Sequence, residues 1–92
     1  MAISKSLEDY LEAIHRLAQS SGGARVVDIA NAMGVTMPSV NNAVRELAGM
    51  GFIEYTPYQQ IRLTPEGERR AAEIFRRHTM LKEFLLSIGV SG

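Results

Sequence analysis

"DIANAMGVTMPSVNNAVREL", residues Asp28–Leu47, holds two helical patterns with a turn between them. The first, about Asp28–Met33, is closed by Gly34, a residue favoured just past a helix end. Thr36 then offers a side-chain oxygen to cap a second helix, and Pro38 falls in its first turn, where a missing N–H is harmless. Val40, Val44 and Leu47 form the inward stripe of that helix. It ends near Gly51, with Gly49 weakening its last turn. Two short helices joined by so tight a turn make a helix-turn-helix pattern.

Upstream, a helix is expected from about Ser6 to Ser20, stopped by Ser20-Ser21-Gly22-Gly23. Its inner face is Leu7, Tyr10, Leu11, Ile14 and Leu17; Asp9 and Glu12 sit three apart on the outer side. Ala24-Arg25-Val26 reads as a short strand-like link. Downstream come two short strands, Phe52–Tyr55 and Ile61–Leu63, joined by a connection long enough for a hairpin tip. Thr64-Pro65-Glu66 is a strong helix start: cap, proline at the first position, acid in the first turn. A helix or helix pair runs from there to about Ile88, before Gly89. The fold class expected is mainly α with a small β-hairpin: a winged helix-turn-helix domain and a C-terminal linking helix.

The composition bounds the function. Ninety-two residues allow one domain, and ten basic against ten acidic side chains give zero formal charge. Nonspecific coating of nucleic acid is therefore disfavoured, and any DNA affinity must come from local placement and dimer symmetry. The charge is uneven: Glu8, Asp9 and Glu12 make the first helix acidic, while Arg62, Arg69, Arg70, Arg76, Arg77 and Lys82 tilt the last third basic. No apolar run approaches the roughly 18 residues of a membrane span. The N-terminus shows no long signal-peptide-like apolar stretch, so a cytoplasmic protein is expected. The absence of cysteine excludes disulfides and thiolate metal sites.

A groove-reading role falls on the second helix of the motif. Thr36, Ser39 and free backbone N–H groups in its first turn suit phosphate oxygens. Asn41 and Asn42 point away from the inward stripe, and an Asn amide pairs with an adenine edge through one acceptor and one donor. Met37 and Pro38 suit a thymine methyl, and Arg45 suits phosphate. The alternative is an ordinary solvated face, although two successive mediocre helix formers then lack a reason. In the wing, Tyr58, Gln59, Gln60 and Arg62 either reach the neighbouring minor groove or backbone, or simply cover the core.

Four segments together resemble the diphtheria toxin repressor (DtxR) family of metal-dependent regulators, on the side of its manganese-responsive branch (MntR). They are "SLEDYLEAIHRL" (6–17), "ARVVDIANAMGVTMPSVNNAVREL" (24–47), "GFIEYTPYQQIRLTPEGERRA" (51–71) and "RRHTMLKEFLLSIGV" (76–90). The resemblance covers nearly the whole chain, in order and at matching spacing. It implies a repressor that binds a palindromic operator in double-stranded DNA as a homodimer, with residues 1–75 as the winged domain and 76–92 as the start of a dimerisation and metal-binding region. It places Asp9, Glu12 and His78 on ligand positions for Mn(II) or Fe(II), as part of an incomplete site. Carboxylate oxygens with one imidazole suit Mn(II), and Asp9 stands where the iron branch typically has Met. The alternative for the carboxylates is solvation, or exposed ion pairs of Arg76 and Arg77 with Glu8 or Asp9.

Some positions depart from the family pattern. Lys82 stands where a Glu usually follows the histidine, and its ammonium one turn from His78 would repel a divalent cation; Glu83 lies on a different face. His15 replaces a frequent Tyr, Gln60 a wing Gly, and Val27 a common Ser or Asp cap, so the second helix is expected to start poorly. The family continues beyond position 92, so this chain reads as a fragment or a short relative, in which metal binding is expected to be weak or absent. Ile74, Leu81, Phe84, Leu85 and Ile88 form one apolar stripe, flanked by Met80 and Leu86, which suggests self-association. Two readings compete with a metal-responsive repressor: a metal-independent winged-helix DNA-binding protein, and a protein-interaction module. An enzyme is not expected, because the two histidines lack paired nucleophiles and no Gly-rich phosphate loop is present; neither a small-molecule substrate nor a membrane partner is implied.

Overall fold

The computed structural model describes residues 3–21, 23–56 and 60–89, with Ser21 and 78–89 described as helix backbone only. Chain order is α1 (Lys5–Ser21), α2 (Val26–Met33), α3 (Met37–Gly49), β1 (Ile53–Glu54), β2 (Arg62–Leu63) and α4 (Pro65–Gly89).

Several helix boundaries have a local cause. α1 begins a residue before Ser6 because the Ser4 hydroxyl accepts from the Leu7 N–H (3.2 Å) and the Ser4 carbonyl from the Glu8 N–H (2.9 Å). α2 starts earlier than Asp28. Arg25, extended at φ −116° and ψ 158°, is its N-cap residue and forms no side-chain cap bond, whereas Val27, expected at the cap, is already the second residue of the helix. Its end is tighter: Gly34 is left-handed (φ 68°), and the Val35 N–H closes back onto the Ala30 carbonyl at 3.1 Å. The same closure ends α3, where Gly51 (φ 83°) lets the Phe52 N–H reach the Leu47 carbonyl at 3.1 Å.

That closure also shortens the expected strands. The Phe52 N–H is spent on capping α3, and the ladder narrows to Ile53↔Leu63 and Glu54↔Arg62, antiparallel. The link before α2 adds a third rung. Ala24 bridges Ile61, whose N–H donates to the Ala24 carbonyl at 2.7 Å, whereas Val26 is already helical.

The core is one cluster to which every element contributes. Leu7, Tyr10, Leu11 and Ile14 of α1 meet Ile29 and Ala30 of α2, Val40, Ala43, Val44 and Leu47 of α3, and Ala71 and Ile74 of α4. Ala24, Ile53 and Ile61 close it from the wing. The inward stripes read from the sequence for α1 and α3 are therefore the ones that pack, Leu17 being half-buried at the rim. Each large aliphatic side chain buried here contributes about 1.5–3 kcal/mol. Ile74 is correspondingly not an exposed member of a C-terminal stripe: it is 1% exposed, and its neighbour Phe75 is the outward apolar residue at 59%. Leu81, Phe84, Leu85, Ile88, Met80 and Leu86 lie outside the described side chains.

Candidate functional site

α3 carries an exposed ridge. Pro38, Asn42 and Arg45 are spaced i, i+4 and i+7, and all three stand clear, opposite buried Val40, Val44 and Leu47. Asn41 is half-buried one step round the helix, so of the paired asparagines Asn42 has the freer amide. Met37 is exposed at the N-terminal corner. Glu46 is also exposed on this helix, a carboxylate on the same element as the Arg45 guanidinium.

The first turn of α3 offers fewer donors than its sequence suggests. The Thr36 Oγ1 accepts from the Ser39 N–H at 3.3 Å and lies 2.9 Å from the Ser39 hydroxyl. The Val40 N–H donates to the Thr36 carbonyl at 3.2 Å, and Pro38 has no N–H. That leaves the Met37 N–H as the first-turn backbone donor open to an anion. Thr36 and Ser39 hold each other first, and any phosphate contact by their hydroxyls shares that arrangement.

In the wing, Arg62 is exposed and faces Glu54 directly across the ladder. The Gln60 amide lies against Gly23, in the space a Cβ at that position would need, so this side chain folds back over the α1–α2 link. Tyr58 and Gln59 lie outside the described residues.

The proposed metal carboxylates occupy α1. Asp9 is exposed and Glu12 half-buried, one helical turn apart, and the Arg16 Nη2 stands 3.7 Å from the Glu12 Oε1. Of the alternative ion pairs, one forms: the Arg77 Nη2 donates to the Glu8 Oε2 at 3.0 Å, tying α4 to α1. Asp9 makes no ion pair with a described residue. His78 lies on α4 immediately after Arg77, its side chain outside the described residues, as are those of Lys82 and Glu83. Two carboxylates provide hard oxygen donors of the type that suits Mn(II) or Fe(II), which fits such an ion as part of a shell. Among the described residues, no group of three or more His, Cys, Asp or Glu side chains is placed to hold a metal. His15, which stands where the family often has Tyr, is half-buried, with its Nε2 3.2 Å from the Gln19 Nε2, and it lines a groove of about 500 Å³ with Arg16, Ala72, Phe75 and Arg76.

A helix-turn-helix whose second helix feeds an antiparallel hairpin, itself closed by a further helix, defines a winged-helix domain of the DNA-binding class. The chain belongs to the iron-dependent repressor family: the family model described as "Iron dependent repressor, N-terminal DNA binding domain" matches residues 2–61. The transcriptional regulator MntR of Salmonella typhimurium is 44% identical over 85 residues, covering 92% of this chain and 54% of that protein. The chain thus spans about half the length of that curated relative. Among solved structures, T. acidophilum IdeR superposes with a TM-score of 0.79 at 32% identity, over 95% of this chain and 39% of that one. S. aureus MepR, in a complex with DNA, gives a TM-score of 0.74 at 26% identity over 92% of this chain and 63% of that one. No helix among the described residues is long and apolar enough to cross a membrane.

Proposed function

We propose that this chain is the DNA-reading portion of a Mn(II)- or Fe(II)-responsive transcriptional repressor, acting in the cytoplasm. The observation that carries the reading is the Pro38–Asn42–Arg45 ridge, exposed on the second helix of a helix-turn-helix. Asn42 reads a base edge in the major groove, Met37 and Pro38 pack on a thymine methyl, and Arg45 neutralises phosphate. Asn41 assists from the flank, with Thr36 and Ser39 at the backbone. Tyr58, Gln59 and Arg62 are the wing's share of the interface, with Gln60 folded back over Gly23 beside them.

Asp9, Glu12 and His78 would hold the metal, with further donors from outside these residues. A bound ion would supply a fixed positive charge to those carboxylates and imidazole. Residues 76–92 begin the region that joins two copies, so that two α3 helices meet half-sites related by a two-fold axis. Sedimentation over a wide concentration range tests that pairing, and a strict monomer at high micromolar concentration speaks against it.

A second reading, a winged-helix DNA-binding protein indifferent to metal, is favoured by two cations: Arg16, 3.7 Å from Glu12, and Lys82. Selection from a random-sequence duplex pool, with and without Mn(II), separates the two. Enrichment of a palindrome only with Mn(II) supports the first reading, and equal enrichment in both arms supports the second. No enrichment in either arm removes DNA reading altogether.

A further inference from the structure

Wing chemistry would ordinarily be sought on the hairpin itself, where Arg62 is the described cation. The register points elsewhere. Ala24 and Ile61 form an antiparallel bridge and are both buried, at 0% and 1% exposure. Side chains alternate across an extended backbone, so the residues flanking that bridge face outward together. They are Arg25 opposite Gln60, and Gly23 opposite Arg62. Gln60 folds over Gly23, which leaves two cations, Arg25 and Arg62, on one outward strip at the base of the wing.

These two cations are not equivalent. Arg62 has Glu54 as its direct cross-strand neighbour, and an opposite charge there offsets its field toward an incoming polyanion. Arg25 is exposed and forms no ion pair with any described residue, Asp28 in the first turn of α2 included. Nor is its side chain used to cap α2. A long cationic side chain with no structural task stands at the junction of the helix-turn-helix and the wing, in a chain whose formal charge is zero. With no bulk charge to supply attraction, each uncompensated local cation carries a larger share of backbone affinity.

We infer that Arg25, on the α1–α2 link, is the wing-side anchor for a DNA phosphate, and that Glu54 confines Arg62 to a lesser role. The inference rests on the DNA-binding reading and adds a residue that the hairpin alone does not disclose. The contact is electrostatic and sequence-independent, so it needs no operator to be measured.

The test uses the 92-residue chain and a fluorescent random-sequence duplex of about 30 base pairs, with affinity followed across a salt series. One lost phosphate contact makes the slope of log K against log salt shallower by about 0.9. Arg25→Gln is expected to produce that change with a several-fold loss of affinity, and Arg25→Lys to restore the slope. Arg62→Gln should change it less, and Glu54→Gln should raise affinity. Thermal melting of Arg25→Gln should match the parent, since no cap bond is lost. If Arg25→Gln keeps the parent slope while Arg45→Gln flattens it, Arg25 is not an anchor although the chain still binds DNA. If the parent itself shows no salt-dependent binding, the DNA-binding reading falls and takes this inference with it.

Discussion

The Thr64 hydroxyl donates to the Gly51 carbonyl across 2.6 Å, joining the first turn of α4 to the turn that ends α3. The same oxygen accepts from the Gly67 N–H at 3.1 Å. The Thr64 N–H donates to the Phe52 carbonyl at 3.0 Å, and its carbonyl accepts from the Glu68 N–H at 2.9 Å. One residue thus caps a helix, closes the hairpin and fixes where α3 stops. Removing the hydroxyl while keeping the shape isolates its share. Thr64→Val is expected to lose about 1–2 kcal/mol, the size of a lost cap. At about 4–8 °C per kcal/mol for a domain of this size, thermal melting reads that loss directly. A melting point unchanged within 1–2 °C would mean that water replaces both bonds.

Gly67 and Gly49 both lie within helices and should respond in opposite ways to alanine. A Cβ on Gly67 would meet the Phe52 carbonyl, a backbone group that cannot swing aside. Gly67→Ala is expected to cost about 1–3 kcal/mol, as overpacking does. A Cβ on Gly49 meets nothing within 4 Å, so Gly49→Ala should stabilise α3 by about 0.5–1 kcal/mol. Urea unfolding of the two variants side by side checks the sign as well as the size. Stabilisation by both would mean that Phe52 is not held where the structure places it.

These positions mark the limits of reading the chain as a string. Helix caps are local, so Thr36, Gly34 and the Thr64-Pro65 start could be read from adjacent residues, and the inward stripes followed from period. The Gly67–Phe52 approach joins residues whose neighbours in sequence give no hint of contact. The same holds for the Arg77–Glu8 pair, bonded across 69 positions, where the sequence offered several arginine–carboxylate pairings and the fold forms this one. Gln60 shows the limit for the candidate site. Its place in the wing suggested a reach outward, yet the missing side chain at Gly23 gives it a bed to fold into. Ile74 and Phe75 are adjacent apolar residues on α4, and only the position of α1 decides which is core and which is surface.

The α3 ridge makes a prediction about specificity. Asn42→Ala should cost about 1–3 kcal/mol at one base position and little elsewhere, because an amide paired with an adenine edge is selective. Arg45→Ala should weaken every sequence alike and flatten the salt dependence by about one contact. Asn41→Ala should have the smaller effect of the two asparagines, since its side chain is half-buried. Binding to a panel of single-base variants of a selected site checks all three. Uniform weakening by both Asn42→Ala and Arg45→Ala would remove Asn42 from base reading.

The carboxylate pair on α1 makes a prediction about metal. Asp9 and Glu12 supply at most part of a shell that takes about six donors for a hard divalent ion. Glu12 also has the Arg16 guanidinium 3.7 Å away, a cation that any metal must displace or tolerate. Mn(II) binding to the 92-residue chain, measured by calorimetry, is therefore expected to be weaker than micromolar. Arg16→Gln should strengthen it several-fold by removing the competing charge, and Lys82→Glu should do so by replacing a repelling ammonium with a donor. Asp9→Asn should weaken it further, whereas Glu83→Gln should not. Submicromolar affinity in the parent chain would sink the idea of a site shared with residues elsewhere. Equal indifference to Asp9→Asn and Lys82→Glu would move any bound Mn(II) away from α1 and α4.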